Sequence, residues 1–415
     1  MFSEQIELRG HIIDSLILPK VLDEILSNGG SFTIREVEIG KQRHDSSYAS
    51  IEVAGPTPEI VQNIVRRLQQ HGAEIKEQKS AQLVEAPRDG VFPENFYVTT
   101  NQQTFVNVDG DWLEALPPTM DCGIAVDRDK REARTVKFSQ VGKGMPIAVG
   151  HQGIRVMPVQ RDIERRSVFE FMASSVSSEK PKSAVIREIA AEIRRARETG
   201  GKILAVAGPA VVHTGAGEHF EKLIERGYIH LLFAGNALAV HDIEQALFGT
   251  SLGVYLERGA LADEGHENHM RAINTIRAAG GIASAVKSGT LRKGILRQCV
   301  LQNIDFVLAG SIRDDGPLPE VITDTVAAQS AMRSKLDGVT IALMMGTMLH
   351  SVAVGNLLPA HVKTICVDIN PSVVTKLADR GTFQAIGLVT DLEPFLRELT
   401  QFLAEAEPKP MTNNE

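Results

Sequence analysis

From Ala184 to Ala404 the chain alternates short apolar runs with amphipathic, helix-length segments, and this alternation constrains its fold more than any other feature. The runs Ile203–Ala207, Leu231–Ala234, Phe306–Leu308, Val339–Met344, Thr364–Val367 and Gln384–Leu388 have the continuity of strands buried on both faces. Helical periodicity fills Ala184–Thr199, Gly217–Arg226, Ala237–Phe248, Asn268–Ala279, Thr323–Arg333, Pro371–Arg380 and Leu392–Ala404. Strands that alternate with helices run parallel, because each crossover returns the chain to the same edge. The expectation is an α/β fold with one doubly wound, Rossmann-like domain over 180–405 and a polar tail at 406–415.

The start of the chain follows a different order. Strand patterns near Gln5–Ile13, Ser31–Ile39, Ser47–Ala54 and Glu74–Lys76 enclose helices near Pro19–Ser27 and Pro58–His71, each with Pro at its start and Gly soon after its end. That is the ferredoxin-like α+β order, expected over 1–80. Short β-type runs broken by turns such as Val108–Asp111 then predict a small β-rich module over 90–160.

Charge and cysteine content exclude several classes of function. With 44 basic and 52 acidic residues the net charge is −8, and aromatics make up only 5%, so neither phosphate attraction nor base stacking favours a nucleic-acid partner. Cys122, Cys299 and Cys366 are far apart and form no CxxC pair, so no metal site is expected and a reducing cytoplasm fits best. The first ten residues lack the apolar segment of a secretory signal. Val339–Val362 carries no Asp, Glu, Lys or Arg and is long enough to cross a bilayer, but Gly346, His350, Gly355, Asn356 and Pro359 interrupt it. A strand, a glycine turn and a buried helix explain that stretch better than a membrane span.

Ligands of open parallel sheets bind beyond the carboxyl ends of the strands, which selects a few loops. Gly346–His350 offers a glycine turn into a helix, and Asp368 lies about 20 residues on, where a carboxylate accepts from an adenosine ribose and disfavours a 2′-phosphate. These residues equally suit tight packing and a helix cap, since the full GxGxxG is absent. Asn236 stands where a strand hands over to a helix carrying His241 and Asp242; it suits a ligand contact or an N-cap. Gly310–Pro317 brings Arg313, Asp314 and Asp315 into one turn-rich loop. Asp263–His269 is rich in titratable groups, with Glu264, His266 and His269, but is not HExxH. Gly208–Gly215 looks phosphate-friendly yet lacks the P-loop Lys, Gly142–Gly144 suits a β-turn, and no GxSxG elbow is present.

Longer motifs carry a resemblance. ELRGHIIDSLILPK at Glu7–Lys20, DGVFPE at Asp89–Glu94 and YVTTN at Tyr97–Asn101 resemble the conserved region named after lysine-ketoglutarate reductase/saccharopine dehydrogenase (LOR/SDH). GNALAVHDIE at Gly235–Glu244, LAGSIRDDGPLP at Leu308–Pro319, TMLHS at Thr347–Ser351 and CVDINP at Cys366–Pro371 resemble archaeal-type ornithine cyclodeaminases and the C-terminal part of cyanobacterial bifunctional arginine dihydrolase/ornithine cyclodeaminases. The resemblance implies an NAD-dependent lyase that converts L-ornithine to L-proline and ammonia, with a deoxyhypusine-synthase-like cofactor domain. It further implies NAD contacts at Asn236, Ala237, Asp315, Thr347, Met348, Leu349, His350, Asp368, Asp391 and Leu392, and a homo-oligomer, with a tetramer as the expected form.

Such chemistry needs a base for the substrate ammonium, a cation for its carboxylate and a closed pocket. Asp242 or Glu264 for the amine, His241 or His266 for proton transfer and Lys287 for the carboxylate are the candidates. A saccharopine-style dehydrogenase, a transferase with a nucleophilic lysine and a non-catalytic NAD or amino-acid sensor are the alternatives.

Overall fold

A computed structural model describes residues 2–13, 16–40, 45–69, 71–75, 80–157, 182–255, 267–314, 316–378 and 385–405. The chain separates into two units, Met1–Arg166 with Asn356–Ala360, and Ser167–Gly355 with His361–Glu415.

The first unit holds two sheets. Strands β1 (Phe2–Gly10), β2 (Ser31–Glu38), β3 (Ser47–Gly55) and β4 (Glu74–Ile75), with helices α1 (Ile17–Ser27) and α2 (Pro58–Gln69), form a sheet of order β2-β3-β1-β4. Its pairs are antiparallel, the ferredoxin-like arrangement. In β3, Ser47, Ala49, Ile51, Val53 and Gly55 are buried at the strand period of two. Leu18, Val21 and Ile25 of α1 and Val61, Ile64 and Leu68 of α2 meet that face at helical spacing. β1 stops at Gly10, three residues earlier than the apolar run suggests, because Gly10 at φ 113 turns the chain. Ile12 still reaches the core from the turn.

The second sheet has order β11-β6-β7-β9-β8-β10-β5 and consists of β5 (Gln82–Glu85), β6 (Gln103–Val108), β7 (Asp111–Leu116), β8 (Gly123–Asp127), β9 (Glu132–Val136), β10 (Pro146–Val149) and β11 (Ile154–Met157). β5 precedes the span expected for the β-rich module and pairs antiparallel with β10. The GxG at Gly142–Gly144 lies in the connection before β10, with Gly144 at φ 81.

The second unit is a parallel sheet of order β17-β16-β13-β12-β18-β19-β20, built from β12 (Lys202–Ala207), β13 (Leu231–Gly235), β16 (Asp305–Ala309), β17 (Val321–Ile322), β18 (Val339–Met345), β19 (Lys363–Asp368) and β20 (Ala385–Val389). From β12 the chain winds outward through β13, β16 and β17, then returns to lay β18, β19 and β20 on the other side. Apart from the added edge strand β17, this is the doubly wound Rossmann order, with its switch point between β12 and β18.

Helices α3 (Lys182–Glu198), α4 (Ala210–His213), α5 (Gly217–Glu225), α6 (Asn236–Phe248), α7 (Asn268–Ala279), α8 (Ile282–Lys287), α9 (Ile295–Leu301), α10 (Thr325–Ser334), α11 (Met348–Gly355), α12 (Pro371–Ala378) and α13 (Leu392–Glu405) accompany the sheet. A two-strand hairpin, β14 (Thr250–Ser251) and β15 (Val254–Tyr255), follows α6. Ile203–Ala207 of β12 are fully buried, as a strand covered on both faces must be. Each such Ile, Leu or Phe contributes about 1.5–3 kcal/mol. Exposed pairs such as Arg271–Glu267 contribute about 0–1 kcal/mol, so the apolar core holds this unit together.

The uncharged stretch divides as expected into β18, the turn at Gly346 and helix α11. No helix among the described residues is long and apolar enough to cross a membrane.

Candidate active site

At the switch point the turns after β12 and β18 meet through backbone, beside the side chain of Leu392. A Cβ on Gly208, which follows β12, would lie 2.1 Å from the Gly346 carbonyl oxygen and 2.8 Å from Thr347 Cβ. Gly346 itself adopts φ 59, and a Cβ there would lie 2.8 Å from Leu392 Cδ1 and 2.9 Å from Ala210 Cβ. Glycine at both positions lets the turns after β12 and β18 touch beside the start of α13. The run Gly208–Gly215, set aside on sequence grounds for want of a P-loop Lys, therefore forms one wall of the switch point.

The next strand end is equally bare. A Cβ on Gly235 would lie 2.8 Å from His350 Cε1, so the imidazole rests against the end of β13. His350 Nδ1 is 3.3 Å from Thr347 Oγ1, and burial holds the ring below the usual histidine range. α6 starts directly after Gly235 with no side-chain cap on its first-turn N–H groups. Uncapped N–H donors and the helix dipole together suit an anion.

The other expected cofactor residues are distributed along the same carboxyl edge. Asn236 is buried and its Oδ1 accepts from Leu318 N–H at 3.1 Å, so it ties down the loop after β16 rather than capping its own helix. Ala237 is exposed in the first turn of α6. Met348 and Leu349 are exposed in the first turn of α11. Asp368 ends β19 and accepts the Asn370 N–H at 2.8 Å through one oxygen. Asp391 is exposed ahead of α13, and Leu392 is buried. Asp314 closes its own turn by accepting from Ser311 N–H. Asp315, Glu264 and His266 lie outside the described residues. Lys287 is exposed in the last turn of α8, and His269 is half-buried on α7.

Asp242 requires a correction. Expected to handle a substrate amine, it is buried, and its two oxygens accept from Ile295 N–H at 2.8 Å and Leu296 N–H at 2.9 Å. Gly294, at φ 111, makes room for this approach, since a Cβ there would lie 2.9 Å from both oxygens. The carboxyl thus anchors the first turn of α9. Burial pushes it up to about 7, against the pull of those two N–H groups and with help from Glu221. The folded-state value exceeds the unfolded one, so the folded protein binds the extra proton and this group favours folding more as pH falls from 7 towards 4. The melting-temperature advantage of the parent over Asp242→Asn is therefore expected to widen between pH 8 and pH 5. An advantage that stays constant or shrinks over that range contradicts the raised pKa of this carboxyl.

His241, expected for proton transfer, has the densest polar connections, and its partners His213, Glu244 and Ser251 were not among the expected site residues. His213 ends α4, the short helix that follows Gly208, and His241 lies in the second turn of α6. Their rings meet edge to face with centroids 4.8 Å apart. His241 Nδ1 is 2.8 Å from Glu244 Oε2, and His213 Nδ1 is 2.6 Å from Ser251 Oγ. Glu244 is fully buried and also accepts from Thr250 Oγ1 at 2.8 Å, Gly253 N–H at 3.1 Å and Leu252 N–H at 3.3 Å. Burial disfavours its charge, but the bonds from His241, Gly253 and Thr250 outweigh burial and lower its pKa. Burial, and then the neighbouring His241, lower His213 to about 4. The signal available in the sequence was the His-x-x-Glu spacing of His241 and Glu244, which puts both on one helix face.

Comparison with known proteins agrees with this architecture. Residues 187–399 match the family model described as arginine dihydrolase ArgZ-like, C-terminal, Rossmann fold. Residues 3–102 match the LOR/SDH bifunctional enzyme conserved region, and 103–186 the first region of the ArgZ-like C-terminal part. A Methanocaldococcus jannaschii protein named ornithine cyclodeaminase is 53% identical over 98% of this chain and 97% of its own length. The apo crystal structure of ArgZ, an arginine dihydrolase from cyanobacteria, superposes with a TM-score of 0.83, with 38% identity over 97% of this chain and 58% of that one. AgrE of Nostoc sp., solved as a ternary complex with ornithine and NAD+, is 42% identical over 98% of this chain and 59% of its own, with a TM-score of 0.54. The chain belongs to the ornithine cyclodeaminase family that archaeal enzymes share with the C-terminal part of ArgZ-like arginine dihydrolases.

Proposed function

We propose that this chain is an NAD-dependent ornithine cyclodeaminase, a lyase that converts L-ornithine to L-proline and ammonia. The observation that carries the proposal is the backbone-lined switch point of Gly208, Gly235 and Gly346, with Asp368 on the neighbouring strand end, in a chain of this family. These residues suit a dinucleotide. The uncapped start of α6 would hold the pyrophosphate, and the Asp368 oxygen not engaged by Asn370 would accept from a ribose hydroxyl. Leu349 and Ile369, both largely exposed, offer apolar surface to an adenine. Asn236 and Asp314 hold their loops in shape, while Thr347 orients His350.

When bound, NAD+ supplies reversible hydride acceptance at the substrate Cα, so no redox equivalent is consumed overall. The protein's own residues carry the protons. Ornithine enters with two ammonium groups and one carboxylate and leaves as zwitterionic proline and NH4+, so every proton taken is returned. Each amine must lose a proton before it reacts, and ring closure gains from the two ends being held together. Neutral imidazoles suit that exchange, and His213 stays neutral near pH 7. Lys287, an exposed cation on α8, remains the candidate for the substrate carboxylate. Cys122, Cys299 and Cys366 are buried, and the compartment we propose is a reducing cytoplasm.

Incubation with ornithine and a small fraction of an equivalent of NAD+ is expected to yield proline and ammonia in many turnovers per cofactor. One NADH released per ornithine consumed would instead establish a dehydrogenase. No turnover of ornithine or any other amino acid despite tight NAD binding would favour the sensor reading.

A further inference from the structure

We propose that His213 and His241 form a paired proton carrier for the substrate amines, and that Glu244 is the positioning residue that fixes the tautomer of His241. The proposal rests on the cyclodeaminase reading for the identity of the amines. The hydrogen-bond pattern on which it stands is a property of the protein alone.

Three donors converge on the Glu244 carboxylate, from Thr250, Gly253 and Leu252, and His241 Nδ1 lies 2.8 Å from the same group. A buried carboxylate that accepts from three donors, its pKa lowered by its hydrogen bonds, is ionised and can only accept. His241 must therefore carry its proton on Nδ1 and keep a lone pair on Nε2 in the neutral ring. Thr250, which donates to Glu244, in turn accepts from Asn268 Nδ2 at 2.9 Å, so the carboxylate is held by a second row of contacts. Glu244, Thr250 and Ser251 are buried, whereas His213 and His241 remain partly accessible. The arrangement resembles the carboxylate–imidazole half of a hydrolytic triad in its logic, with a second imidazole where the nucleophile would stand.

The second ring explains the pairing. Two imidazoles at 4.8 Å repel when both are charged, so the pair holds one proton at a time. A neutral ring takes a proton from R–NH3+: the substrate N–H bond breaks, its electron pair stays on nitrogen, and an imidazole N–H bond forms. The imidazolium passes that proton to solvent from its partly accessible ring before the second ammonium is deprotonated in the same way; after ring closure the pair returns one proton to departing NH3, giving NH4+, and one to the ring nitrogen of proline, and both rings end neutral. Ser251 Oγ, at 2.6 Å from His213 Nδ1, can donate or accept and so follows the change of state. The position of the pair fits this role. α4 begins just beyond the end of β12, and α6 begins at the end of β13, so both rings come from helices that leave the switch-point edge.

Nitrogen-15 NMR of histidine-labelled protein without substrate reads the tautomer directly. The expected result is Nδ1–H on His241 in the parent and Nε2–H in Glu244→Gln, whose amide donates to Nδ1. In steady state, Glu244→Gln and His213→Asn are each expected to lower kcat by about 10²–10⁴-fold, with NAD affinity and the KM for ornithine within about threefold of the parent. His213→Asn replaces a partly accessible ring and so remains informative if Glu244→Gln folds poorly. An Nε2–H tautomer of His241 in the parent overturns the proposal, as does a kcat within about threefold of the parent in either folded variant. A parent that makes no proline from ornithine overturns the functional reading instead, and the tautomer measurement then decides the pair by itself.

Discussion

Replacing Gly208 with alanine is expected to lower stability by about 3 kcal/mol, a fall in melting temperature of about 6–12 °C for a unit of this size. It is also expected to weaken NAD binding by about 100-fold or more, or roughly 3 kcal/mol. The new methyl would stand 2.1 Å from the Gly346 carbonyl oxygen, and backbone cannot swing aside as a flexible side-chain tip can. The turn after β12 or the turn after β18 must move, and either movement opens the cradle formed with Gly346 and Leu392. Calorimetric melting and titration with NAD+ measure both effects. A variant that melts with the parent and binds NAD+ as tightly would remove the switch point from the cofactor site.

The second large effect concerns Asp368. Its alanine variant is expected to bind NAD+ about 10–100-fold more weakly, since hydrogen bonds to a charged acceptor contribute about 1.5–3 kcal/mol. The parent should bind NADP+ poorly, because Asp368 would face a 2′-phosphate of like charge; the variant should lose most of that discrimination. The Asn370 N–H that Asp368 accepts at 2.8 Å would lose its partner, a small cost because Asn370 is exposed. Titration of both proteins with both dinucleotides checks this. Unchanged NAD+ affinity in Asp368→Ala would mean that the ribose lies elsewhere.

Elements with strong local causes were legible in the sequence. β12, β13, β18 and β19 are buried on both faces and therefore appear as unbroken apolar runs. The glycine turn at Gly346 and the acidic strand end at Asp368 follow from the rule that parallel sheets bind ligands at one edge. Short elements were not legible: α4 has four residues, α8 six and β17 two, all shorter than a periodicity can reveal. Asp242 stood at a plausible position for chemistry, but the N–H groups it holds are 53 and 54 residues further along the chain. Only the folded packing of α9 against α6 gives it an anchoring role. His213 was hidden for a related reason, since the run Gly208–Gly215 was weighed for its glycines alone. Its partners His241 and Ser251 come from other elements.

The most direct test uses L-ornithine carrying deuterium at Cα, with NAD+ at a small fraction of an equivalent. If hydride is removed from Cα and given back within one closed site, the expected product is proline that retains deuterium at Cα, with no growth of absorbance near 340 nm (an approximate wavelength for the reduced nicotinamide). Proline whose Cα hydrogen comes from solvent, or reduced cofactor accumulating in step with the ornithine consumed, would contradict it.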